Sequence, residues 1–151
     1  MAMSEHQGFS RPSDFSFRFE YRASNLPSED YYEYAIEVAP DGSGEIRYLP
    51  DYPQNHPEEL VEIFELTPAA MDRIFRMLLV LGLLHAVWMP EEPSHAGGPK
   101  QFLQVVSGGR WYDIHGSLSA DDAAGLTKLF DTIRAAVPKL VWDKIEQMKA
   151  R

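Results

Sequence analysis

Residues 15–22 read FSFRFEYR, with Phe15, Phe17, Phe19 and Tyr21 alternating with Ser16, Arg18, Glu20 and Arg22. A period of two places the four rings on one face of a β-strand and the polar residues on the other. Residues 31–38, YYEYAIEV, repeat the alternation: Tyr32, Tyr34, Ile36 and Val38 share one face, and Tyr31, Glu33, Ala35 and Glu37 the other. Between this stretch and EIRYL at 45–49 lies APDGSGE, where Gly42 and Gly44 are the residues able to take the positive φ of a tight hairpin. Ile46 and Tyr48 then continue the apolar face. On the opposite face Arg18 and Arg22 are placed to meet Glu33 and Glu37 across the strands, pairs worth about 0.2–1 kcal/mol each that fix register more than stability. The pattern predicts an antiparallel meander, aromatic on one side and charged on the other.

Outward from this core, residues 50–59 contain three prolines and predict a loop. LVEIFEL at 60–66 predicts a fourth strand, although its glutamates also tolerate a helix. Thr67 as N-cap, Pro68 at the first helical position and a Leu66–Met71 staple predict a helix start. Met71, Ile74, Phe75, Leu78 and Leu81 form its stripe, closed by Gly82 with Leu83 behind. Residues 101–106 and 110–115 predict a second hairpin about Gly108-Gly109. Ser119 is placed to cap a helix with Asp121 and Asp122 in its first turn and a stripe of Leu126, Leu129, Phe130, Ile133 and Val137. Pro138 breaks it, and a last helix carries Leu140, Val141, Ile145 and Met148.

Hairpin-joined strands followed by amphipathic helices predict an α+β two-layer domain, a mainly antiparallel sheet of about five to six strands with about two to three helices on one face. Residues 1–13 are expected to be a disordered lead and 14–151 a single domain. Two hairpin-then-helix units, opening at LTPAAM and LSADDA, hint at a duplicated half.

Composition narrows function. The chain has no cysteine, which excludes disulfides, thiolate nucleophiles and cysteine-based zinc sites. Its formal net charge is −9, and its basic residues are scattered, which argues against nucleic acid as a partner. The N-terminus carries no signal-peptide pattern, and the apolar run at 77–89 is shorter than the roughly 20 residues of a membrane span. A cytoplasmic protein without membrane contact is expected. No phosphate-binding loop, nucleophile elbow, dinucleotide fingerprint or paired-histidine zinc motif occurs, and no cofactor is implied. The aromatic row could serve base stacking on a sheet, but the basic residues and the glycine-aromatic signature that accompany such displays are missing, so it reads as core lining.

The one local candidate for chemistry is WYDIHG at 111–116. Asp113 and His115 share a strand face with Trp111, and a carboxylate beside an imidazole can orient a base or bind a metal. His95, in the loop upstream, and Trp88 would complete such a site only if that loop folds back. Otherwise these residues form a solvated strand face. His56 and His85 have no second histidine at ligand spacing, and Glu91 and Glu92 lack the spacing of a calcium loop. Leu79, Leu83, Leu84, Val87, Trp88 and Met89 exceed what one helix covers, and suggest a groove, a small apolar ligand or self-association. The favoured expectation is a non-catalytic domain acting through protein or ligand contact, homodimerisation included. The alternatives are an enzyme or metal site at Asp113 and His115, and an acidic inhibitor of a basic protein.

Overall fold

A computed structural model of the chain describes residues 10–23, 26–84, 99–115 and 120–149. Six strands form one antiparallel sheet: β1 (Ser16–Arg22), β2 (Glu33–Val38), β3 (Ser43–Leu49), β4 (Leu60–Glu65), β5 (Lys100–Ser107) and β6 (Arg110–His115), in the order β4-β3-β2-β1-β5-β6. Three helices follow strand runs: α1 (Pro68–Val80), α2 (Ala120–Ala136) and α3 (Lys139–Lys149). The two-layer α+β arrangement is therefore present. The two hairpin-then-helix units are unequal, because β1 lies centrally and pairs with both β2 and β5.

The alternation of residues 15–22 sets the layers. Phe15, Phe17 and Phe19 are buried and share one cluster with Ile36, Val38, Ile46, Leu103, Val105 and the helical stripes. Phe15 meets Phe75 of α1 edge-on at 5.2 Å, and Phe19 lies 4.9 Å from Phe130 of α2. α1 begins as expected: the Thr67 side chain accepts from the Ala70 N–H at 3.1 Å, with Pro68 at the first position. It ends with the Leu83 N–H on Leu78 O and the Gly82 N–H on Leu79 O, both 3.0 Å, which satisfies carbonyls a helix end leaves open. Leu126, Leu129, Phe130, Ile133 and Val137 are all buried. Ser119, the expected N-cap of α2, lies outside the described residues.

Residues 60–65 form the expected fourth strand. Several other expectations are corrected. Leu140, assigned to the stripe of α3, is 75% exposed; the stripe runs through Val141 and Ile145 instead. Tyr31, expected on the charged face, lies outside β2 and is buried beneath Tyr52, ring centroids 3.7 Å apart. In the first hairpin only Gly42 has positive φ, at 92°. Gly44 is an ordinary strand residue opposite Phe64, and a Cβ there would run into the Phe64 ring, so it is the small side chain that matters. Leu83 is buried and Leu79 and Leu84 pack partly against the core, so these three line no open groove; Val87, Trp88 and Met89 lie outside the described residues. Of the expected lead, residues 1–9 are also outside, while Arg11 Nε donates to Asp72 at 2.9 Å.

Aspartates hold the turns. Asp14 accepts from the Gly109 and Gly108 N–H groups at 2.7 and 2.8 Å, tying the start of β1 to the β5–β6 turn. Those bonds, Gly109 first, hold its carboxyl below the ordinary value of 3.8. Asp41, through Ser43, and Asp51, through the Ser28 hydroxyl, are lowered likewise. Groups with lowered folded-state values stabilise above their unfolded value and lose that effect as pH falls. Tm followed from pH 5 to 3 is expected to drop, and to drop less steeply in Asp14→Asn. Separately, Phe19→Ala is expected to cost about 3–5 kcal/mol in urea unfolding, the range for emptying a fully buried ring position.

Candidate functional site

With the helices on one side, the other face of the sheet carries Arg18, Glu20 and Arg22 of β1, Glu33, Ala35 and Glu37 of β2, and Glu45 and Arg47 of β3. Phe102, Gln104 and Val106 of β5 continue it, and β4 and β6 edge it. The register decides who meets whom. Arg18 opposes Glu37 and Arg22 opposes Glu33, as the alternation predicts. Arg18 bonds Glu37 and reaches Glu20 at 3.0 Å; Arg22 reaches Glu20 at 3.2 Å and Glu33 at 3.5 Å. Arg47 pairs with Glu59 at 3.2 Å and Glu45 at 3.4 Å. Signs thus alternate along the middle of the face. Most of these side chains are partly solvated, and exposed pairs contribute about 0–1 kcal/mol each. The network orders the face more than it holds the fold.

Apolar residues stand at the two edges. Ile63 of β4 is 80% exposed and Trp111 of β6 is 64% exposed. A trough of about 490 Å³ crosses all six strands between them, floored by Ser16, Arg18, Glu37, Glu45 and Val106. A second hollow of about 280 Å³ lies over β1, β5 and β6 and includes Arg22, Phe102, Gln104 and Asp113. Arg22 sits over the Phe102 ring, 5.8 Å from its centroid.

The sequence candidates divide accordingly. Trp111 and Asp113 both point to the open face, paired across to Val106 and Gln104. Tyr112 and Ile114 point to the core side, Ile114 buried. His115 is opposite Phe102 in the ladder, which puts its position on the same face. His95 and Trp88, proposed to complete a site there, lie outside the described residues. Among the described residues, no group of three histidines or carboxylates is arranged to hold a metal ion, and no helix is long and apolar enough to cross a membrane. His56, exposed and left-handed at φ 49°, closes a short 3-10 turn at Pro53–Asn55.

Sequence reading missed Ile63. It occupies the outward position of a strand whose neighbours Glu62 and Phe64 point inward. Glu62 shares the helix-facing side of β4 with Phe64, and Lys144 of α3 reaches over to bond it there. The signal was available in the parity of residues 60–65, but two inward-facing and two outward-facing apolar residues left that parity ambiguous. The chain matches no protein-family model and no curated protein sequence.

Proposed function

We propose that this chain is a non-catalytic contact domain, that its working surface is the open face of the sheet, and that this face closes on a second copy of the chain. The carrying observation is the distribution of that face about its midline. In the order β4-β3-β2-β1-β5-β6, three strands lie on each side of the β2–β1 boundary. A two-fold axis along the strands at this boundary lays β1 over β2, β5 over β3 and β6 over β4 of the second copy. Because such an axis preserves position along the strands, each row meets itself reversed.

The consequences follow from the register. Arg18 of each copy faces Glu37 of the other, and Arg22 faces Glu33. Each pair joins its symmetry mate in a four-charge cluster of alternating sign. Arg47 comes over Phe102, Trp111 comes over the Glu65 position of β4, and Asp113 comes over Ile63. Self-complementarity of this kind is what an isologous interface requires. Six strands at about 4.8 Å spacing and about 23 Å of strand length offer about 650 Å² per copy, or about 1,300 Å² in all, within the range of specific interfaces. The exposed side chains of Ile63 and Trp111 add apolar surface at the two edges of this charged centre.

Sedimentation equilibrium at micromolar concentration is expected to give twice the chain mass of 17.2 kDa. Arg18→Glu puts four carboxylates in the cluster and Glu37→Arg puts in four guanidinium groups, so each variant alone is expected to be monomeric. An equimolar mixture is expected to recover a heterodimer. There the introduced carboxylate of one chain faces the introduced guanidinium of the other, and the retained Glu37 faces the retained Arg18. A monomeric parent chain, or a mixture that stays monomeric while both variants remain folded, would contradict the reading.

A further inference from the structure

The aromatic row does not end in the dry core. Where phenylalanine gives way to tyrosine, at Tyr21, the row becomes half-buried and opens to solvent beside α3. Tyr21 stacks on Tyr34 at 5.2 Å and on Tyr32 at 5.6 Å; Tyr32 is tilted against Tyr48 at 6.1 Å. Trp142 of α3 meets Tyr34 edge-on at 5.3 Å, its indole N–H anchored on Arg134 O at 2.9 Å. These five rings line a hollow of about 290 Å³, to which Glu146 adds a carboxylate. Burial pushes the Tyr21 and Tyr48 hydroxyls up to about 12, further still from ionisation.

Two cations already belong to this hollow, and they differ in how they are held. Arg134 is committed: it donates to Tyr34 Oη at 2.7 Å, to Asp131 at 2.6 Å and to Gln101. Among the described residues, Lys149 is held by Glu146, at 3.4 Å, and by the face of Tyr32, its Nζ 4.1 Å from the ring centroid. Ring faces and a carboxylate attract cations, most effectively cations with a weak hydration shell. Arg134 is balanced by Asp131, so once Lys149 swings away the charge left uncompensated is Glu146. An anionic ligand would meet that carboxylate, and Arg134 is already turned to Tyr34, Asp131 and Gln101.

We propose that the tyrosine end of the inner face binds an organic cation of the quaternary-ammonium or methylated-amine class, with Lys149 as the tethered cation that fills the site in the free protein. A hollow of 290 Å³ is small for a drug-sized ligand and suits a head group of this kind. The exchange is charge-neutral: one cation leaves the Tyr32 face and another takes its place beside Glu146. This site lies on the helix side of the sheet and stands or falls independently of the dimer.

Isothermal titration with choline, and with its uncharged isostere 3,3-dimethylbutan-1-ol, tests the proposal. Choline is expected to bind the parent chain and to bind Lys149→Ala about fivefold more tightly, the worth of one cation–π contact no longer in competition. The neutral isostere is expected not to bind, and Tyr32→Leu is expected to abolish choline binding while the chain stays folded by circular dichroism. Lys149→Gln serves as a second variant if the alanine form is unstable. Failure of choline to bind either Lys149 variant overturns the proposal. So does equal binding of the isostere, or choline binding that Tyr32→Leu leaves unchanged.

Discussion

The contact on which the architecture depends is that of Phe19 with Phe130, ring centroids 4.9 Å apart and both side chains fully dry. Phe19 sits mid-way along β1, flanked in the ladder by Ile36 and Leu103, so it is the centre of the apolar face. α2 docks there, and α1 reaches the same layer through Phe75 and Phe15. The two helices arrive from opposite edges, α1 after β4 and α2 after β6, and meet where Leu81 fills the space that Gly125 leaves open. Both edges of the sheet thus send their helices to one side. Among the described residues, no helix covers the charged side.

Period-two alternation fixes parity, and parity is why so much of this could be read from residues alone. Once Phe15, Phe17 and Phe19 are inside, Arg18 and Arg22 must be outside, and the hairpin at Gly42 then delivers Glu37 and Glu33 to them. Helix boundaries were legible because Thr67, Pro68 and Gly82 each solve a local backbone problem. What could not be read depends on contacts far apart in the chain. Tyr31 is buried by Tyr52, from a proline-rich loop that no local pattern ties to it. Glu62, on the helix side of β4, is met by Lys144 of α3 from far along the chain. Gly44 is needed for the volume of Phe64 across the ladder, a demand invisible within the turn itself. At the candidate site, the shared face of Trp111, Asp113 and the position of His115 followed from parity, whereas its apolar counterpart Ile63 stands on the opposite edge strand of the sheet.

The same row of rings accounts for both surfaces discussed above. Its phenylalanine end has no polar atom and is sealed by α1 and α2. Its tyrosine end retains hydroxyls and lies where α3 approaches its last turn, so the rings stay partly wet there and Lys149 finds a place over one of them. A strand that changes from Phe to Tyr along one face therefore changes from core to binding surface. The reverse face carries a different kind of specificity. Its ion pairs are too solvated to matter much to folding, but their alternating order across the midline discriminates between orientations of anything that packs against them.

Hydroxyl-radical footprinting at nanomolar and at high micromolar concentration reads both faces in one experiment. The account predicts that Phe15, Phe17 and Phe19 are protected at both concentrations, while Trp111 and Ile63 are oxidised when dilute and protected when concentrated. Reactive phenylalanines in the first strand, or edge residues equally reactive at the two concentrations, would contradict it.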